Sequence, residues 1–386
     1  MMQKRRWISV ILVLAMLAGG CGAVQLETDE PRETVETQTN AEAGISAEAG
    51  TNAETGMNAE AETCAVEEAQ ENLDAQESAK AKENTEAAVP EPFAFNPHVH
   101  SDLLSEVVSE ETWASFHNMC DAIRAGEDTF ECASEEAYEW CTDEVTIGSY
   151  LPAACTIVVG GGYKDGVGKL KYKMDKEQFL AREQAFEEEI CKMLNEATRS
   201  DASDFEKLMG IYDYMCKYWV YDYGELDGAS IEEFGNYACL MRRDGICAEI
   251  ASALTYLLLQ CDVEAMPIGT SCEHEWTYVV IGGKGYHVDA TWALHGDYPE
   301  ERLSLEYFMM TEDDRFCQGL LDKENFQADM LWIWKQDYDL GRFTATDDSF
   351  RAIHGGVQFV GMDVDKNVIE YVTWDGKQRE LSYGDM

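Results

Sequence analysis

The amino-acid sequence predicts an α+β fold with a buried helix, a β hairpin and a C-terminal β meander. Three observations carry that expectation. Residues 248–260 are rich in Ala, Leu and Ile and contain no Pro or Gly, the composition of a buried helix that starts at or just before Cys247. The stretches 274–281 and 286–292 flank Gly282-Gly283, which signals a tight hairpin. Further on, three alternating stretches, 357–364, 368–374 and 377–383, are separated by Asp365-Lys366-Asn367 and Asp375-Gly376, the pattern of a three-stranded meander.

In chain order, the first element is not a domain. Lys4-Arg5-Arg6, an apolar run from Trp7 to Leu17 and Ala18-Gly19-Gly20 before Cys21 have the three-part layout of a secretory signal, residues 1–21. The apolar run falls short of the roughly 20 residues a spanning helix needs. Ala-Gly-Gly-Cys resembles a bacterial lipobox, so Cys21 is expected to carry lipid and to hold the protein outside the cytoplasm on the cell membrane. Residues 22–92 carry 18 acidic against 3 basic side chains and almost no large apolar ones. Such a spacer cannot offset its conformational entropy by burial and is expected to be disordered. Within it run four hexads, Thr39–Gly44, Ile45–Gly50, Thr51–Gly56 and Met57–Glu62, whose recurrent glycine opposes a helix and whose charge favours extension.

The remainder is long enough for a real core. It divides into an N-terminal α/β region at 93–200, a central core at 201–320 and a C-terminal β region at 321–386. Helices are expected at 110–125, 134–141, 175–198 and 204–219, with Phe179, Phe186, Ile190 and Leu194 on one face of the third. Asp201 or Asp204 is the expected N-cap of the fourth. A short strand is expected near Phe130, and apolar runs occupy 153–159 and 167–174. The formal charge of the chain is −46 at pH 7, a field that repels nucleic acid and anionic lipid. Membrane contact is therefore expected through the lipid alone. The 13 cysteines form no C-x-x-C pair and no framework-like spacing. They read as small buried hydrophobes in reducing surroundings, with neither zinc nor another cofactor expected.

Chemistry is expected at three residues. A thiol at the first turn of a helix, where Cys247 stands, meets backbone N–H groups and a helix dipole that favour its thiolate. The same N–H groups can donate to an oxyanion. If Gly282-Gly283 is a two-residue turn, Ile281 pairs with Lys284, Trp276 with Asp289 and His274 with Thr291. His274 and Asp289 then share one face as diagonal neighbours, while His287 takes the other and is structural. That juxtaposition supplies nucleophile, base and orienting group. Cys247 is expected at a partly exposed helix start, and Asn in place of Asp289 is expected to leave the fold nearly intact. His98 and His100 lack further ligands and read as surface histidines. The acidic run 363–365 lacks the glycine and glutamate of a calcium loop, and Trp332 and Trp334 read as core.

Gly245-Ile246-Cys247, His274 with Trp276 two residues on, Val288-Asp289-Ala290-Thr291-Trp292 and Tyr307-Phe308 resemble, in order and spacing, the transglutaminase-like superfamily. Residues 211–214, Tyr221-Asp222 and Tyr237-Ala238 resemble its lead-in. The resemblance covers about 204–314 and implies a papain-like core in which the cysteine helix packs on a sheet bearing the other two residues. It implies acyl transfer from an amide through a thioester, as a cysteine peptidase or as a transglutaminase acting on proteins or peptides, cell-wall peptides included. The chain departs from the pattern at Glu249-Ile250, where many members have Gly-Tyr, and at Ala290, where many have Pro. Those departures leave open a non-catalytic binding or scaffolding module, and Tyr237 is a positional candidate for an oxyanion donor.

Overall fold

Ser109, Ser134, Asp143 and Asp175 each place a side-chain oxygen on backbone N–H groups of the helix that follows, satisfying donors that a helix start leaves open. The helices are α1 (Glu110–Arg124), α2 (Glu135–Cys141), α3 (Glu144–Tyr150) and α4 (Lys176–Ala197). They belong to a computed structural model that describes residues 90–223, 235–269, 274–295, 303–319, 343–384 and 386. The signal, Cys21, the hexads, Trp332 and Trp334 lie outside the described residues. Strands β1 (Thr129–Glu131), β2 (Val158–Lys164) and β3 (Val167–Tyr172) form an antiparallel sheet in the order β1-β3-β2. The sequence reading omitted α3, whose Val145, Thr146, Ile147 and Gly148 are weak helix formers.

Helix α5 (Asp204–Tyr218) is capped by neither expected aspartate. Ser203 accepts from the Glu206 N–H, and the Glu206 side chain accepts from the Ser203 N–H at 2.9 Å, a reciprocal capping box. Asp204 is already helical, and Asp201 pairs with Arg199 at 2.8 Å. Short β4 (Val220–Tyr221) runs parallel to β5 (Asp244–Gly245), with α6 (Asn236–Arg242) between them in sequence. Helix α7 (Cys247–Leu259) follows, burying Ile250, Ala253, Leu254, Leu257 and Leu258. Each such large side chain contributes about 1.5–3 kcal/mol when fully buried.

Helix α7 packs on β6 (Ala265–Gly269) and β7 (Glu275–Ile281), and β8 (Lys284–Val288) completes the antiparallel order β6-β7-β8. The hairpin has the expected register, Ile281 opposite Lys284 through Thr277 opposite Val288, with Gly282 and Gly283 both at positive φ. The returning strand is shorter than expected. Pairing ends at Val288, and Thr291–Ala293 form a 3-10 turn; on the edge away from β7 the Asp289 N–H donates to the Tyr307 carbonyl at 2.9 Å.

Past α8 (Glu312–Cys317), strands β9 (Gln358–Asp363), β10 (Val368–Val372) and β11 (Gln378–Ser382) form a meander in the order β11-β10-β9. Phe359 N–H bonds the Leu303 carbonyl at 2.8 Å, and the Tyr383 hydroxyl donates to Glu206 at 2.7 Å. The segment before α1 crosses the C-terminal end of α7: Asn96 and Gln260 exchange two hydrogen bonds of 2.9 Å, and Ser101 donates to Glu264. All described cysteines are free, and only Cys317 among them is exposed. Among the described residues no helix is long and apolar enough to cross a membrane.

Candidate functional site

The site is built at the end of the sheet where α7 begins. The helix runs one way, β6 returns and β7 runs alongside α7 again. Thr277 Oγ1 donates to the Ala251 carbonyl at 3.1 Å. One helical turn before Ala251 is Cys247, and three residues before Thr277 is His274, so both lie toward the same end of the layer. Cys247 is the first residue of α7 and is 6% exposed, more enclosed than a partly exposed helix start.

Glu249, where the resemblance calls for glycine, has a definite task. Its carboxylate accepts from the Ile246 N–H at 3.0 Å and from the Gly235 N–H, closing the start of α7 and linking it to Gly235 at the start of α6. Burial raises the Glu249 carboxyl despite those two bonds. Gly245 follows from the same arrangement: a Cβ there would meet Cys239 Sγ at 2.8 Å and Glu249 Oε2 at 2.9 Å.

His274 and Asp289 are brought together. Nε2 and Oδ2 are 2.7 Å apart, and both side chains are almost fully buried. The two residues meet on one face, as the hairpin parity predicts. The expected cross-strand partners Trp276–Asp289 and His274–Thr291 are not paired, because β8 stops short of them. The imidazole stacks on Trp292 with centroids 5.1 Å apart, and Trp276 lies at 6.0 Å. Trp292 is 41% exposed, so one indole separates the imidazole from solvent.

A residue absent from the sequence reading completes this cluster. Arg315 of α8 is fully buried, and its Nη2 lies 3.0 Å from the same Asp289 oxygen. Its guanidinium carbon sits 4.0 Å from the Trp276 ring centroid, and Nη1 donates to Gln318 Oε1 at 2.8 Å. Burial alone would raise the Asp289 carboxyl, but the charges and hydrogen bonds of His274 and Arg315 outweigh it and hold it below the usual carboxylate range. An ionised Asp289 accepts from His274 Nε2–H, which leaves Nδ1 as the nitrogen able to take a proton. His287 is neutral, driven well down by burial and then by Arg315, and its Nδ1 accepts from the Trp276 indole at 3.0 Å. The expectation that His287 takes the face opposite Asp289 is corrected: two residues from Asp289 on the strand, it lies on the same face, beside Trp276.

Glu275, beside His274, is also buried, and burial lifts its carboxyl to about 8 against the opposing effect of His274. Tyr237 packs on Phe186 and carries the Arg182 guanidinium 3.4 Å from its ring centroid, a packing role against α4. His98 binds Asp121 at 2.8 Å and stacks on His117. No group of His, Cys, Asp or Glu among the described residues has the arrangement of a metal site.

No family model matches the chain, and no curated protein matches it. Among solved structures, one described as a TGase is 15% identical over 36% of this chain and 46% of that one, with a TM-score of 0.25. A candidate cysteine protease from Cytophaga hutchinsonii is 14% identical over 35% of this chain and 61% of that one, with a TM-score of 0.20. The chain spans less than two thirds of either protein. Likenesses of that size decide neither fold nor chemistry.

Proposed function

We propose that the chain is a thiol enzyme that acts on amide bonds by acyl transfer, with Cys247 as nucleophile, His274 as general base and Asp289 as the orienting carboxylate. The observation that carries this reading is the buried 2.7 Å contact between His274 Nε2 and Asp289 Oδ2, set at the end of the layer where α7 opens with Cys247. The motifs around these residues, which resemble the transglutaminase-like superfamily, agree with it.

In this mechanism His274 Nδ1 takes the thiol proton and the sulfur attacks the amide carbonyl carbon. The first N–H groups of α7 favour the oxyanion that forms. Collapse breaks the C–N bond, the leaving amine takes the proton from His274, and a thioester remains on Cys247. Water or a primary amine then gives a proton to His274 and attacks the thioester carbonyl carbon; the C–S bond breaks, the acyl group leaves on the acceptor, and His274 returns the proton to the Cys247 sulfur. Water makes the protein a peptidase and an amine makes it a transglutaminase. The substrate is a protein or peptide, a class that includes cell-wall peptides.

One observation favours a second reading, a binding or scaffolding module: Cys247 is 6% exposed. Alkylation distinguishes the two. Burial pushes the thiols of Cys120, Cys216 and Cys239 well up and that of Cys261 up to about 12, so these stay protonated and slow. Cys317 is exposed and serves as an internal reference. With iodoacetamide near pH 6, Cys247 is expected to react faster than Cys317, and His274→Ala to abolish the difference. Equal rates at the two sites would leave the scaffold reading. Cys247→Ala is expected to abolish thioester formation with peptide mixtures, and a labelled primary amine read by mass spectrometry identifies the acceptor.

We also propose that lipid on Cys21 holds the protein on the outer side of the cell membrane, from the lipobox-like Ala18-Gly19-Gly20-Cys21. Durable anchoring takes two acyl chains, which bacterial lipidation at a cysteine supplies. Cys21→Ala is expected to send the protein into the medium or to leave it as an unprocessed precursor. Fractionation unchanged by the substitution would refute the anchor.

A further inference from the structure

We propose that Arg315 is a positioning residue for the triad, holding the Asp289 carboxylate against His274 through the oxygen that both residues contact. The inference rests on the triad reading above. The guanidinium is fully buried and held on three sides: by Asp289 Oδ2 at 3.0 Å, by the Trp276 ring at 4.0 Å and by Gln318 Oε1 at 2.8 Å. Trp276 is itself fixed, since its indole N–H is engaged by His287 and the His287 backbone pairs with Met310 in both directions. A guanidinium does not deprotonate in a protein, and its rigid fork transmits this fixed geometry to whatever it binds.

The manner of contact points beyond structural pairing. An arginine that serves only to neutralise a carboxylate commonly does so through two parallel bonds, one to each oxygen. Here Arg315 and His274 use the same oxygen, Oδ2, while Oδ1 has no hydrogen-bond partner among the described residues. The clamp therefore bears on the atom that receives the imidazole proton.

Its chemical effect is on the direction of that hydrogen bond. A buried carboxyl without a compensating cation favours its neutral form. A neutral Asp289 would donate its O–H to His274 Nε2, and the imidazole proton would then sit on Nδ1, where the thiol proton has to arrive. Arg315 keeps the carboxylate as acceptor, so that Nε2 carries the proton and Nδ1 has its lone pair. Arg315 acts through Asp289, its ion-pair partner.

The test is the rate of Cys247 alkylation by iodoacetamide at pH 7, resolved by site with mass spectrometry and accompanied by thermal melts. Arg315→Gln is expected to slow Cys247 by about tenfold or more, as loss of an orienting partner does elsewhere, and Arg315→Lys to recover much of the rate. A double-mutant cycle separates positioning from packing. With Asp289→Asn in place there is no carboxylate to clamp, so adding Arg315→Met should change the rate by no more than about twofold. A folded Arg315→Gln variant that reacts at the wild-type rate overturns the proposal. So does an Arg315→Met change that slows the Asp289→Asn chain as much as Arg315→Gln slows the wild type. If Arg315→Gln does not fold, the double variant, which buries no charge at this pair, carries the test: slowing by more than about twofold relative to Asp289→Asn overturns the proposal. Loss of rate in His274→Ala with none in Arg315→Gln rejects the clamp and keeps the triad, whereas a wild-type rate in His274→Ala rejects the triad itself.

Discussion

Asp289→Asn is expected to destabilise the protein by about 3–5 kcal/mol, the usual cost of removing one partner from a buried ion pair. This reverses the expectation from sequence, where an asparagine of equal volume at a hairpin end looked harmless. The difference is Arg315. With both side chains fully buried and 3.0 Å apart, the neutral amide leaves a guanidinium in the interior without a counter-charge, and Arg315 cannot shed its proton. The same variant should lose most of the Cys247 reactivity, because an amide can present its NH2 group to Nε2 and so reverse the imidazole tautomer. Urea titration checks the first effect and alkylation the second. The pH dependence has a definite sign. The folded Asp289 carboxyl lies below its ordinary value of 3.8, so its contribution is fully present above about pH 4 and is lost as the pH falls through the folded value. A variant within about 1 kcal/mol of wild type at pH 7, the scale of a surface pair, would show that the guanidinium finds another partner.

Glu275→Gln is expected to act in the opposite direction, stabilising the protein by about 3 kcal/mol at pH 7 and by little near pH 4.5. Glu275 is 4% exposed, and burial raises its carboxyl from 4.5 to about 8. At pH 7 the folded chain holds this proton while the unfolded chain releases it. Stability therefore falls as the pH rises from about 4.5 to about 8, at up to roughly 1.36 kcal/mol per pH unit for this group. Glutamine has nothing to release in either state. Urea midpoints of the two chains at pH 4.5 and pH 8 measure the effect. A gap of the same size at both would mean that the carboxyl carries no burial penalty.

The pairing of His274 with Asp289 was legible because it depends on local rules. Gly282-Gly283 sets the hairpin, a two-residue turn sets the register, and the register decides that His274 and Asp289 meet. The start of α7 was legible from the apolar run after Cys247. Arg315 was not, because it follows Glu312, Asp313 and Asp314, where a basic residue ordinarily belongs to a solvated face. Its burial depends on tertiary contacts with Trp276, Asp289 and Gln318 that no spacing encodes. Glu275 was hidden by the alternation that revealed its strand. A polar residue at an alternate position reads as solvent-facing, yet β7 is buried along nearly its whole length. The N-cap of α5 was missed by a residue or two because Asp201, Ser203 and Asp204 are all competent caps, and the reciprocal bond from Glu206 selects Ser203.

If the proposed lipid on Cys21 holds the chain, the paired hydrogen bonds between Asn96 and Gln260, with Ser101 on Glu264, have a mechanical consequence. Tension entering near Pro90 meets this strap at the C-terminal end of α7, the opposite end of the helix from Cys247. The Asn96–Gln260 bonds and the contacts of Phe93 with Asn195 and Glu91 with Ser200 share the load before it reaches the helix. Cys247 then lies on the slack side of the strap, and on the proposed tether a pull on the N-terminus would leave the geometry of the thiol unloaded.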